Sequence, residues 1–139
     1  MTPLDREVFA ERAAAVQRHL ARVAERLPGS PDGFEAATDA SDAVILHLWQ
    51  ATQIVIDLAT AACVRQGLGT PSTYADAFAR LAGSGVIDTP LAERLARAAG
   101  FRNLVAHAYE RLDMCRVHEA ARSGPSDLRA FLLALRDRL

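Results

Sequence analysis

The sequence predicts an all-α protein, an up-and-down helical bundle of four to five helices forming one domain over residues 1–139. Three observations carry this. Apolar residues recur at helical spacing along most of the chain. Pro- and Gly-rich clusters cut it into helix-length pieces. No segment alternates apolar and polar residues as a half-buried strand would.

Leu4, Val8, Val16, Leu20, Val23 and Leu27 mark the inner face of a first helix, which Pro28-Gly29-Ser30-Pro31-Asp32-Gly33 ends. A second helix is expected from about Phe34 to Gln66. Val44, Leu48, Val55, Ile56 and Ala59 form its main face, and Ile45, Trp49, Ile54 and Leu58 widen that face almost all round. A helix so apolar is expected to be buried on two sides, against its own bundle and against a partner. The same surplus predicts a homodimer built chiefly on helices two and four. Gly67-Leu68-Gly69-Thr70-Pro71 is a cap and turn, because it follows a helix where a phosphate loop would follow a strand.

Thr73-Tyr74-Ala75-Asp76 opens a short third helix ending near Gly83-Ser84-Gly85. Thr89-Pro90 starts a fourth, since a hydroxyl cap before Pro at the first helical position is a strong start signal. It is expected to run to about Ala121, with Ser123-Gly124-Pro125 as its stop. Ser126-Asp127 would then cap a fifth helix turning Leu128, Phe131, Leu132 and Leu135 inward.

Composition narrows the function classes. Half of the 139 residues are hydrophobic and about a quarter charged, which is globular. Every basic residue other than histidine is Arg, beside abundant Ala. That pattern reads as GC-rich codon bias, so Arg abundance alone does not indicate nucleic-acid binding. The net charge of −1 gives no global field toward RNA or an anionic membrane, and any polyanion site must be local. Met1-Thr2-Pro3-Leu4-Asp5 lacks the basic and apolar regions of a signal peptide. The most apolar stretch, Ala43 to Cys63, is interrupted by His47, Gln50, Gln53 and Asp57, against a membrane span. Cys63 and Cys115 are expected as reduced thiols in a cytoplasmic protein.

The chemistry concentrates in Arg102-Asn103-Leu104-Val105-Ala106-His107-Ala108-Tyr109. A guanidinium, an amide, an imidazole and a phenol within two turns are groups that grip a phosphate and move a proton near neutral pH. On one ideal helix Arg102 and Tyr109 lie about 20° apart, while His107 points about 140° away from Arg102. A single straight helix therefore cannot easily bring Arg102 and His107 onto one small ligand. Two copies meeting near a two-fold axis can.

The run resembles the Arg-x4-His signature of the HEPN superfamily. Gly100-Phe101-Arg102-Asn103 followed by His107-x-Tyr109 is similar, more narrowly, to the HepT toxins of HepT/MntA toxin–antitoxin pairs. The preceding helix with Gln50, Gln53 and Asp57, the connector Gly85-Val86-Ile87-Asp88 and the overall length match too. The resemblance implies a HEPN-like bundle, a composite site at a dimer interface and a metal-independent endoribonuclease that needs no cofactor. RNA would be the substrate, with Arg102 and His107 catalytic. It also implies a MntA-like nucleotidyltransferase antitoxin that silences the toxin by transferring AMP to Tyr109. Many HEPN domains lack catalysis, so the competing expectation is a non-catalytic dimeric module that binds and regulates such a nucleotidyltransferase. A third is a helical scaffold whose polar cluster fixes dimer register.

Each motif residue also has a plain structural reading. His107 can be a satisfied core histidine, with Arg102 paired to Glu110 or Asp57. Tyr109 can be an interface packing residue. Asn103 and Asp57 are candidate supporting groups, Asp57 because a carboxylate in so apolar a helix is expected to need a partner. Cys115 and His118 have metal-compatible spacing but no second pair to complete a site, so no metal is expected. His19 is expected to be solvated and His47 to be a satisfied polar group. Arg94, Arg97 and Arg102 form a modest basic strip without interleaved aromatics to stack on bases.

Overall fold

The computed structural model describes residues 3–139, so Met1 and Thr2, which open the segment read for a signal peptide, lie outside the described residues. Five α-helices follow in order: α1 Arg6–Arg26, α2 Asp39–Arg65, α3 Tyr74–Gly83, α4 Thr89–Ala108 and α5 Met114–Arg136. A 3-10 turn, Tyr109–Arg111, joins the last two. No strand occurs among the described residues.

Side-chain caps set every helix start. Asp5 accepts from the Val8 N–H, Thr73 from Asp76 and Asp113 from Cys115. At α2 a reciprocal Thr38/Ser41 capping box fixes the first turn, so this helix begins later than its apolar pattern suggests. The residue expected to open it, Phe34, is instead a buried loop anchor, edge-on to His118 at 5.8 Å between ring centroids. Asp88 caps α4 through the Leu91 N–H, which moves the cap one residue upstream of Thr89.

The largest departure from the sequence reading lies at the end of α4. The helix stops at Ala108, whose φ of −142° and ψ of 35° leave the helical region. Leu112 is extended, and Asp113 starts a new helix. That helix then runs straight through the expected stop, with Pro125 inside it. Two features permit this. Gly124 before the proline has no Cβ to clash with the ring. Buried Val117 and Ala121 on one side, and Leu128, Phe131, Leu132 and Leu135 on the other, hold both halves to one core. Ser126 and Asp127 therefore cap nothing; the Asp127 carboxylate receives Arg94 at 2.8 Å.

α2 is the central helix. Val44, Ile45, Leu48, Val55, Ile56, Leu58 and Ala59 are all buried within the chain's own bundle. Trp49 and Ile54 are half-buried and Leu46 is exposed, so the chain's own bundle covers most, but not all, of the apolar surplus. It is long and apolar enough to cross a membrane, yet half of its most apolar window is buried among neighbouring helices. Cys63 is buried and Cys115 exposed, both as free thiols.

Candidate functional site

α4 runs antiparallel to α2: its Arg102 reaches Gln53, whereas Tyr109, farther along the chain, reaches back to Asp42. The candidate groups therefore spread along one flank of α2.

Arg102 is the most completely positioned of them. Its guanidinium lies 5.3 Å from the Trp49 ring centroid and 5.8 Å from that of Tyr74. Such contacts are worth about 0.5–2 kcal/mol, according to how far water is excluded. Nε donates to Gln53 Oε1 at 2.6 Å, and Nη1 donates to Asn103 Oδ1 at 3.1 Å. Both acceptors are neutral amides, and among the described residues no carboxylate lies within ion-pair distance of Arg102. Neither Glu110 nor Asp57 pairs with it. Its positive charge remains unneutralised, and Nη2 has no partner among the described residues.

Asp57 is exposed where a buried carboxylate was expected. It accepts from Gln53 Nε2 at 3.0 Å. That bond fixes which end of the Gln53 amide faces Arg102, so Asp57 touches the guanidinium only through Gln53 and does not reach His107. Gln50 makes no side-chain hydrogen bond among the described residues. His107, in the last turn of α4, is exposed and has no partner among the described residues, so it is not a core histidine of this chain.

Because α4 ends at Ala108, Tyr109 does not continue the line of Arg102. The 3-10 turn carries it to α2, where its hydroxyl donates to Asp42 Oδ1 at 2.5 Å with the residue 46% exposed. The Asp42 hydrogen bond raises the Tyr109 pKa above its ordinary value, helped by burial and by the Asp42 charge. The phenol is therefore neutral near pH 7, with a carboxylate in place to receive its proton.

The basic strip is narrower than its sequence. Arg94 is tied to Asp127, leaving Arg97 and Arg102 without a carboxylate partner among the described residues. His118 is buried and bonds the Pro28 carbonyl oxygen at 2.7 Å, while Cys115 faces solvent. Among the described residues no group of three His, Cys, Asp or Glu side chains is placed to hold a metal. His19 is half-buried rather than solvated, its Nδ1 lying 2.9 Å from Nδ1 of His47.

Sequence reasoning missed Trp49, Tyr74 and Asp42. Trp49 was findable: it precedes Gln53 by four residues on α2, so both share a face. Tyr74 read only as part of a helix start, and Asp42, well inside the expected second helix, drew no reading. Their roles depend on how α3 and the 3-10 turn fold back, which no local pattern encodes.

Comparison with known proteins gives a consistent set of relatives. A family model described as ribonuclease HepT-like matches residues 16–135. The mRNA nuclease HepT of Shewanella oneidensis is 27% identical over 126 residues, spanning 91% of this chain and 94% of that one. A crystal structure of a toxin–antitoxin with AMP-PNP contains a chain that superimposes with a TM-score of 0.86 at 25% identity, covering 95% of this chain and 99% of that chain. A solved structure of the tri-AMPylated Shewanella oneidensis HEPN toxin in complex with MNT antitoxin gives 0.85 at 26% identity, covering 96% and 99%.

Proposed function

Because the chain belongs to the ribonuclease HepT-like family, we propose that it is the toxin of a cytoplasmic toxin–antitoxin pair, an endoribonuclease that cuts RNA without a metal. The carrying observation is the Arg102 guanidinium, held between two rings and two amides with its charge unspent and Nη2 open. A group so held binds the scissile phosphate and stabilises the extra negative charge of the transition state. The RNA 2′-hydroxyl attacks the adjacent phosphorus, and the 5′-oxygen bond breaks. His107 takes the 2′ proton or protonates the leaving 5′-oxygen. The products are a 2′,3′-cyclic phosphate and a 5′-hydroxyl. Asn103 holds Arg102 directly, and Asp57 holds it through Gln53.

The cleft is completed by a second copy. Arg102 and His107 both lie in α4 and diverge by about 140° around it, so each chain supplies part of a composite site. Most apolar residues of α2 are buried in its own bundle, so the argument for the dimer rests on the exposed apolar residues Leu46, Leu104 and Tyr109.

The partner is a MntA-like nucleotidyltransferase that transfers AMP to Tyr109. The phenol oxygen attacks the α-phosphorus of ATP, pyrophosphate leaves, and Asp42 accepts the phenol proton. The adduct places bulk and negative charge on the flank that carries Arg102 and blocks the cleft.

The second reading, a non-catalytic module that docks a nucleotidyltransferase, has one observation in its favour: His107 stands exposed with nothing among the described residues to fix its tautomer. One experiment separates the two. His107→Ala is expected to abolish toxicity and RNA cleavage while leaving the thermal melt unchanged, because a helix accepts Ala well. Tyr109→Phe is expected to leave a toxin that its partner no longer silences. Growth on induction is measured with and without the partner, and adducts by intact mass. Cleavage by purified His107→Ala would sink the catalytic reading, and an AMP adduct on Tyr109→Phe would sink the acceptor assignment.

A further inference from the structure

Beside Arg102, the start of α3 and the residues just before it face α4 across an open groove of about 500 Å³ that neither the proposed catalytic groups nor the AMP acceptor uses. Ser72, Thr73 and Tyr74 form one wall, and Ala96, Gly100 and Asn103 the other. Its volume lies within the roughly 300–1,000 Å³ of small-ligand sites. The α4 side carries little side chain, with Ala96, Ala99 and Gly100 in it, and serves as the floor. A Cβ added at Gly100 meets nothing within 4 Å.

The polar groups on the rim have a defined sense. Arginine carries donors only, so its bond to Asn103 must be received by the amide oxygen, and the Asn103 NH2 is left as a donor. It has no partner among the described residues, and neither does the Tyr74 hydroxyl. Ser72 is not available, because its N–H and its hydroxyl both donate to Asp76. The Asp76 charge is in turn offset by Arg80 at 2.9 Å. One end of the cleft thus abuts a free guanidinium, its wall is aromatic, and its open hydrogen-bonding groups are an amide donor and a phenol.

We propose that this cleft is a nucleoside subsite, holding the base and ribose of single-stranded RNA next to the phosphate on Arg102. The base lies over the Ala96–Gly100 floor against Tyr74, and the Asn103 NH2 donates to an acceptor on its edge. The proposal rests on the endoribonuclease reading, from which it is separable by experiment. Tyr74 then has two tasks: its ring carries Arg102, and its hydroxyl edge bounds the base.

Gly100→Leu and Ala96→Leu fill the floor while leaving Arg102 itself unchanged, and both are compatible with a helix. Binding is measured by fluorescence anisotropy with short single-stranded oligodeoxyribonucleotides, which lack the 2′-hydroxyl and cannot be cut. Each variant is expected to weaken binding by roughly tenfold or more, the scale of losing one stacked base. Sequencing of the ends cut from a random RNA pool is expected to show a base preference beside the cut that the variants lose. Circular dichroism and light scattering should match the parent protein.

If the parent protein cuts RNA and both variants bind and cut as it does, the subsite falls and the nuclease reading stands. If the variants lose oligonucleotide binding although no RNA is ever cut, the subsite stands and the nuclease reading falls. Loss of a dimer with binding intact would make the cleft a protein interface and overturn the proposal, as would failure of the parent protein to bind the oligonucleotides. Should one variant unfold, the other decides.

Discussion

The two ends of this bundle are built differently. The larger apolar cluster joins all five helices, with Phe78 and Phe131 packed edge to face at 5.9 Å and Leu81, Val55 and Leu135 fully buried around them. The smaller cluster lies under the candidate site and gathers Val23, Phe34, Val44, Ile45, Leu48, Val105, Val117 and Ala121. α4 crosses from one to the other. Its first half buries Leu91, Ala92, Leu95 and Ala99, but beyond Ala99 it buries only Val105. Phe101 and Arg102 there are only half-buried, while Asn103 and His107 are exposed. Stability and chemistry are thereby assigned to opposite ends of one helix.

The sharpest way to break this division is to cut each end alike. Phe131→Ala is expected to cost about 3–5 kcal/mol, the range for a fully buried aromatic. Val105→Ala is expected to cost only about 1–2 kcal/mol, since it removes two methyls from a thinner layer. Denaturant unfolding of both variants measures the contrast. Equal losses would mean that the site end is as heavily packed as the other, and the division would be wrong.

On activity the order reverses. Arg102→Lys keeps the charge but loses the planar fork that Gln53 and Asn103 hold. Cleavage is expected to fall by about 10²–10³, the cost of one transition-state donor, with the melt unchanged. Asp57→Asn is expected to cost less than about tenfold, since it acts through Gln53 and Asn still offers a carbonyl oxygen. Steady-state cleavage of one RNA substrate measures both. Complete loss in folded Asp57→Asn would show that the carboxylate's charge is itself required.

The same division explains what could be read from the sequence. The larger-cluster end follows helical periodicity, and its faces, such as Val16–Leu20 and Leu128–Phe131–Leu135, are found where the spacing puts them. Breaker residues mislead when burial overrides them, as at Pro125, where a glycine neighbour and two apolar half-faces keep α5 whole. The converse failure is the stop at Ala108, where Tyr-Glu-Arg-Leu has no breaker and only the Asp113 cap signals a new helix. Within the site, the identities Arg102, Asn103, His107 and Tyr109 were visible as an unusual run. Of their supports only Trp49 had a local signal, its four-residue spacing to Gln53; Tyr74 and Asp42 meet the run only in three dimensions. A helix angle computed through Ala108 also placed Tyr109 on the line of Arg102, and the bend removed it.

The smallest predicted effect tests the site end through pH. His19 of α1 and His47 of α2 face each other with Nδ1 atoms 2.9 Å apart and ring centroids at 5.2 Å. Only one hydrogen can lie between the two nitrogens, so the seam tolerates one N–H donor and one bare acceptor. Charging both rings breaks that bond and sets two cations together. Burial lowers the His19 pKa from its ordinary 6.5, and the charges of His47 and Arg18 lower it further. The unfolded chain therefore takes up the proton first on acidification. The stabilisation is full above pH 6.5 and is lost progressively as pH falls below it. Asp76 and Glu119, whose pKa values are lowered, act only where carboxylates protonate, at about pH 4 and below. Melts taken from about pH 7 down to about pH 5 stay above the carboxylate range, and His19→Gln separates the pair from the chain's other histidines. The parent protein is expected to lose a few degrees over that window, and His19→Gln, which cannot charge, to lose less. A pH-independent melt of the parent, or an equal slope in His19→Gln, would show that the seam between α1 and α2 is indifferent to protonation.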